Sequence, residues 1–404
     1  MGVLQGCAHP TQPPLEKGRS TFYDAYLMFA FNVIKQLGSA RLSELTTPHG
    51  VIPGPFFQFV ATQGAIRGQV MREDMEKLGA DIMLANTYHL HMRPGEDVVQ
   101  QAGGLHGFMH WDKPLTTDSG GYQVFSLGKR VVIDSDGVTF QSPLDGSSHR
   151  FTPEITMQIQ AKLGPDIVMP LDVCTPFSAS RDEVEQAIKL SSQWAKRCKE
   201  EQVRLKSPQA LYGIIQGGVY PDLREKAAQN LRNIGFFGYS IGGELQEKGE
   251  KEIKKIVSIT TAQIPENAPR YLMGYGKPED IVEAVRLGID QFDCVLPIRN
   301  ARHGQIFSKL NKDELTKCLQ DPEYPIDLKK LYTMIDITKS AFATDSTIFA
   351  PNNPVITKAY TNSYVHHLMR AEAPSGMRLA VIANISFYVE LMKSIREIIA
   401  LKGA

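Results

Sequence analysis

A chain of 404 residues, 42% of them hydrophobic, is long enough for one large domain of roughly 250–300 residues with additions, or for two domains. Its 44 basic and 44 acidic residues cancel, which excludes a globally basic nucleic-acid binder and leaves any RNA contact to a local patch. The five scattered cysteines (Cys7, Cys174, Cys198, Cys294 and Cys318) include no C-x-x-C pair, which argues against a disulfide framework and against zinc-ribbon spacing.

Residues 1–27 are rich in Pro and Gly, then aromatic, without a hydrophobic signal segment or a stretch of transmembrane length. They are expected to form a poorly ordered extension of a cytoplasmic protein that has no membrane partner. From residue 50 to 300 short apolar runs alternate with longer amphipathic stretches, the pattern of repeated β-α units. The predicted strands are Phe56–Val60, Ile82–Ala85, Leu115–Thr117, Ile167–Leu171, Leu211–Ile215, Tyr239–Ile241, Tyr271–Met273 and Gln291–Asp293. Helical patterns fill the intervals: Arg72–Leu78, Pro153–Leu163 with Thr152 as N-cap, Ser180–Val203, Pro221–Ile234, Glu247–Ala262 and Pro278–Leu287.

About eight parallel strands with intervening helices predict an α/β fold, a TIM (β/α)8 barrel, over residues 28–310. A doubly wound sheet is the runner-up, but no Gly-x-Gly-x-x-Gly follows an early strand. Arg130–Arg150, with turns at Asp136-Gly137 and Asp145-Gly146, reads as a small β-hairpin insertion. Beyond Arg302 the rhythm fades. Glu314–Ile337, Ala359–Ala371 and Ile385–Ala400 read as helices of an appended subdomain, residues 311–404.

In such a barrel, chemistry belongs at the C-terminal ends of the strands. The residues there are Asn86, Asp118, Asp172, Gln216, Gly242-Gly243-Glu244, Gly274 and Asp293. Any one of these aspartates is more often a helix N-cap or an ion-pair partner, and Asp293 has Arg299 and Arg302 close by in sequence. Three carboxylates and a glutamine at matching registers point instead to one shared site. Two aspartates suit a nucleophile and a general acid/base for cleavage at an anomeric carbon. A third carboxylate and an amide suit a purine edge, Tyr122 and Met273 could stack on its faces, and Lys277, Arg299 and Arg302 supply phosphate contacts. A base removed from a polynucleotide must first leave its stack.

The stretches Thr117-Asp118-Ser119-Gly120-Gly121-Tyr122-Gln123-Val124-Phe125-Ser126-Leu127, Leu171–Pro176, Gly213–Val219, Tyr271–Gly274 and Asp293–Arg302 resemble the motifs of the tRNA-guanine transglycosylases, also called queuine tRNA-ribosyltransferases. With Asn86–Leu90 and Arg93–Gly95, the likeness covers nearly all of residues 45–310. It implies exchange of guanine at wobble position 34 of tRNA for a 7-deazaguanine, through a covalent tRNA–enzyme intermediate. By that resemblance Asp293 is the nucleophile and Asp118 the general acid/base. Ser119, Gly120, Gly121, Tyr122, Asp172, Gln216, Gly243, Glu244 and Met273 hold the base. Gly274, Lys277, Ile298, Arg299, Asn300, Ala301 and Arg302 contact RNA.

The chain departs from the family in two places. The family's zinc site uses three cysteines in C-x-C-x-x-C spacing and a downstream histidine. Counted from His366-His367, these positions fall at Asn352, Pro354, Thr357 and Ala383, none of which is a normal zinc ligand. No zinc and no other cofactor is therefore expected, and the homodimer that this subdomain supports in the family is left open. The second departure is Glu244 and Gln246, where bacterial members typically carry Leu and Val; it leaves the incoming base open between queuine and its precursor preQ1. A non-catalytic tRNA-binding subunit of a transglycosylase complex is the alternative function, disfavoured by the retained Asp118, Asp172 and Asp293. An archaeosine-forming relative would carry extra RNA-binding domains, and a carbohydrate glycosidase would not need the Gln and Gly placement.

Overall fold

The computed structural model describes residues 28–127, 129–243, 250–357 and 359–403. Three antiparallel strands open the fold: β1 (Ala30–Leu37), β2 (Ala40–Thr47) and β3 (Gly50–Gly54). Next come β4 (Phe56–Val60), β5 (Met83–Ala85) and β6 (Leu115–Thr117), then an inserted sheet of β7 (Lys129–Ile133), β8 (Val138–Gln141) and β9 (Ser148–Phe151). β10 (Ile167–Val168), β11 (Ala210–Ile215), β12 (Gly238–Ile241), β13 (Arg270–Leu272) and β14 (Gln291–Cys294) follow. β15 (Gln305–Leu310) pairs antiparallel with β16 (Tyr332–Asp336).

Strands β4, β5, β6 and β10–β14 form a closed barrel in which each strand runs parallel to its neighbours, and β14 closes on β4 through Gln291–Phe56 and Asp293–Gln58. With helices between the strands, this is the expected TIM barrel. Its lumen is filled by Phe56, Ile82, Ile167, Met169, Tyr212, Ile214 and Tyr271. Phe29, Leu45 and Ile52 of the β1–β3 sheet join the same cluster and plug the N-terminal mouth of the barrel. There Arg41 of β2 pairs with the buried Asp290 just before β14, and its guanidinium also donates to the carbonyls of Glu266 (2.7 Å) and Ala268 (3.1 Å). The opposite mouth stays open.

Several expectations change. The fourth barrel-wall run ends at Val168 rather than Leu171, because Pro170 has no N–H to donate to a ladder. The insertion is a three-stranded sheet with both Asp-Gly turns in place, β9 adding to the expected hairpin. The segment after Asp293, to which no element is assigned from the sequence, is a helix over Leu296–Arg302 with Pro297 in its first turn. The predicted helix Glu314–Ile337 is helical at Lys312–Gln320 and Leu328–Leu331 only. Pro322 and Pro325 break it, and Tyr332–Asp336 is a strand. The last helix runs from Pro374 to Lys402, longer than Ile385–Ala400. It packs between the helices Arg72–Leu78 and Pro278–Arg286 and against β4, at the seam where the barrel closes. Arg378 bridges to Asp74 at 2.6 and 2.7 Å, and Arg396 donates to the Pro55 carbonyl at 2.9 Å.

Candidate active site

A cavity of about 990 Å³ occupies the open mouth. Asn86, Asp118, Ser119, Tyr122, Asp172, Gln216, Gly243, Met273, Gly274, Lys277, Asp293, Ile298, Arg299 and Arg302 all line it. Gly120 and Gly121 lie beneath this lining: a Cβ on Gly120, where φ is +80°, would stand 3.0 Å from Phe151 and from the Tyr88 nitrogen. Lys277 and Arg299 are exposed at the rim, whereas Ala301 is buried in the core and Asn300 is half-buried. Glu244 and Gln246 lie outside the described residues, as does the extension 1–27.

Asp293 is delivered by β14. Its Oδ1 accepts hydrogen bonds from the Tyr271 hydroxyl at 2.6 Å and the Gly274 N–H at 2.8 Å. Neither Arg299 nor Arg302 forms an ion pair with it among the described residues, so the reading of Asp293 as a structural ion-pair partner falls. No donor among the described residues reaches Oδ2, which leaves that oxygen available to an electrophile. Burial raises the Asp293 carboxyl above its ordinary range, and the bonds from Tyr271 and Gly274 oppose the rise.

Asp118 follows β6 and is held by four donors. Oδ2 accepts from the Asn86 and Gln123 side-chain amides, and Oδ1 from the Thr87 (2.9 Å) and Gly120 (3.2 Å) N–H groups. Burial nevertheless pushes its carboxyl up to about 6; Asn86, Thr87 and Gln123 resist, while the charge of Asp293 adds to the rise. A carboxyl poised there can both give and retrieve a proton near neutrality.

Asp172 accepts from Gln216 Nε2 at 2.7 Å and from the Ser119 hydroxyl at 3.3 Å. It too is pushed up to about 6, by burial first and by the charge of Asp118, against the bonds from Gln216 and Ser119. Gln216 Oε1 has no hydrogen-bond partner among the described residues and remains an acceptor for a ligand N–H. Three acids from distant parts of the chain thus share one mouth.

The sequence that builds this site is matched by known proteins. The family model described as queuine tRNA-ribosyltransferase matches residues 36–402. The chain belongs to the queuine tRNA-ribosyltransferase family. It is 43% identical over 368 residues to proteins named queuine tRNA-ribosyltransferase from Francisella tularensis subsp. mediasiatica (strain FSC147) and subsp. novicida (strain U112). Each alignment covers 91% of this chain and 94% of the relative.

Tyr271 and Gln123 bond to the acids of the site, as Asn86 and Thr87 do, without a role that the sequence assigns to them. Tyr271 lies two residues before Met273, and the period of two in a strand sends both side chains to the same face. Gln123 lies five residues beyond Asp118, on the helix Gly121–Leu127 that starts at the same turn. At the positions where the family resemblance would put zinc ligands, Asn352, Pro354 and Thr357 are exposed and Ala383 is buried within the final helix, and none carries a thiolate or imidazole. The fully buried Asn384 donates to the carbonyls of Pro297 (2.8 Å) and Gln305 (3.0 Å) and accepts from the Phe307 N–H (2.9 Å).

At the N-terminal end of the barrel His49, His106 and Asp166 cluster within 4.8 Å. The imidazoles are stacked with centroids 3.5 Å apart and planes 15° from parallel, so their in-plane lone pairs run side by side rather than converge on one ion. His49 bonds to Asp166 at 2.8 Å and His106 Nε2 stands 3.4 Å from it, a structural knot far from the open mouth. No helix among the described residues is long and apolar enough to cross a membrane.

Proposed function

We propose that this chain exchanges guanine at position 34 of tRNA for a 7-deazaguanine base by covalent double displacement. The observation that carries the reading is the convergence of Asp118, Asp172, Gln216 and Asp293 on one cavity, with Asp293 Oδ2 free of any described donor. The Asp293 carboxylate attacks ribose C1′ of the flipped nucleotide, and the C1′–N9 bond breaks as the departing guanine takes a proton from Asp118. The incoming base then returns its N9 proton to Asp118. N9 attacks C1′, and the C1′–O bond to Asp293 breaks. Two inversions give net retention.

Asp172, Gln216 and the Gly243 backbone read the purine edge. Tyr122 and Met273 flank its faces. Lys277, Arg299 and Arg302 at the rim meet phosphates. The described geometry retains the groups that a non-catalytic subunit could dispense with, which favours the enzyme. The reading includes no zinc, which elemental analysis of the purified protein checks, and cytoplasmic action with tRNA as partner; light scattering reports whether two copies associate.

Incubation with guanine-34 tRNA followed by denaturing electrophoresis tests the mechanism. Wild type is expected to give a denaturation-resistant protein–tRNA band, and Asp293→Asn to bind tRNA without one. A band persisting in Asp293→Asn overturns the role of Asp293. Displacement of labelled guanine from tRNA by preQ1 and by queuine identifies the base.

A further inference from the structure

Arg224 has no part in the chemistry above, yet its placement is costly. It lies in the first turn of the helix Pro221–Ile234, where the positive end of the helix dipole disfavours a cation, and it is fully buried. No carboxylate among the described residues forms an ion pair with it. Burial lowers its guanidinium to about 10. A leucine would fill the same core position without these penalties.

What the guanidinium does reach is specific. Nε donates to the Gly218 carbonyl at 3.0 Å, and Nη1 donates to the carbonyls of Ile215 and Gly242, both at 2.9 Å. One planar fork therefore ties the turn after β11, which carries Gln216, to the turn after β12, which carries Gly243. The glycines around it fit that path. A Cβ on Gly217 would stand 2.8–2.9 Å from Arg224 atoms, and one on Gly243 would stand 3.1 Å from Nη2 and 3.4 Å from Gln216 Oε1. In a trans peptide the C=O and the following N–H point in opposite directions. Drawing the Gly242 carbonyl toward Arg224 therefore turns the Gly243 N–H the other way, and Gly243 lines the cavity.

We propose that Arg224 is the positioning residue of the base subsite: by holding the Ile215, Gly218 and Gly242 carbonyls it fixes the Gln216 amide and the Gly243 N–H in the register that reads a purine edge. This rests on the proposed base-exchange function. It predicts that loss of the fork harms recognition of the free base and spares recognition of tRNA, whose phosphates meet the rim. A residue that merely supported the fold would move both together, or neither.

The test is steady-state incorporation of labelled guanine into tRNA, with guanine and tRNA varied separately, for wild type, Arg224→Met and Arg224→Lys. Arg224→Met is expected to raise KM for guanine at least about tenfold while KM for tRNA stays within about threefold. Arg224→Lys, a single ammonium that cannot span three carbonyls, is expected to fall between them. A guanine KM within twofold of wild type in the folded variants overturns the proposal, as does a parallel rise in both constants. Should Arg224→Met fail to fold, Arg224→Lys alone decides by the same criterion. Wild type that incorporates no guanine refutes the function itself, and this inference with it, so the two failures are told apart.

Discussion

Replacing Tyr271 by Phe removes one hydroxyl from beneath the nucleophile and leaves the ring in the barrel lumen. That hydroxyl donates to Asp293 Oδ1 at 2.6 Å, while the Gly274 N–H still holds the same oxygen at 2.8 Å, so the carboxylate keeps its place. A hydrogen bond to a charged acceptor contributes about 1.5–3 kcal/mol, and about 1.4 kcal/mol is tenfold in rate. Loss of the bond should therefore lower kcat/KM for tRNA by roughly 10–150-fold where the fraction of ionised Asp293 limits the reaction. The sign with pH follows from the same bond. It favours the ionised carboxylate, so without it the already raised Asp293 carboxyl rises further, and higher pH is needed to generate the nucleophile. The deficit should be largest at the acid end of the profile and narrow as pH rises. Labelled-guanine incorporation across the pH range, with tRNA below KM, measures this. A deficit of constant size at every pH, or one below threefold at the acid end, refutes the reasoning.

Two further expectations concern stability. For Asp166, burial would push the carboxyl up, but bonds from His106, His49 and the Leu115 N–H outweigh it and hold it down at about 2. A depressed carboxyl contributes stability that is present above its unfolded value and lost as pH falls through the folded one. Asp166→Asn should therefore cost about 2–3 kcal/mol at neutral pH, with the gap to wild type closing toward about pH 2, as read by urea titration at several pH values. Asn384→Leu leaves the Pro297 and Gln305 carbonyls and the Phe307 N–H without their partner, at about 1–3 kcal/mol for each buried group. It should lower the urea midpoint and slow the covalent tRNA adduct, because Pro297 opens the helix that follows Asp293.

The barrel is legible because its strands are buried on both faces and read as apolar runs, and because most of these runs end at, or just before, a residue that chemistry can use. Asp118, Gln216 and Asp293 were found that way. Tyr271 was hidden by the same logic: inside a run, a tyrosine looks like core until its hydroxyl has an acceptor. The β1–β3 sheet left no such trace. It covers the barrel mouth with a few apolar side chains such as Leu45 and Ile52, and the residues between them are polar or exposed. β16 was mistaken for helix because it is a short two-stranded edge with exposed Thr333 and Met334, where neither burial nor alternation marks a strand. Arg224 could not be recognised from a helical pattern, since only the fold shows that its head lies among three carbonyls.

The helix Pro374–Lys402 fills the slot in the outer ring between the first and last barrel strands, where Phe57 of β4 packs on its Tyr388 with centroids 4.9 Å apart. Nearly eighty residues of chain separate β14 from this helix. During synthesis the ribosome therefore exposes all eight staves before it releases the clasp that keeps them in a ring. The contacts that this helix makes across the seam can form only once it has itself left the exit tunnel, so chain order places the clasp last.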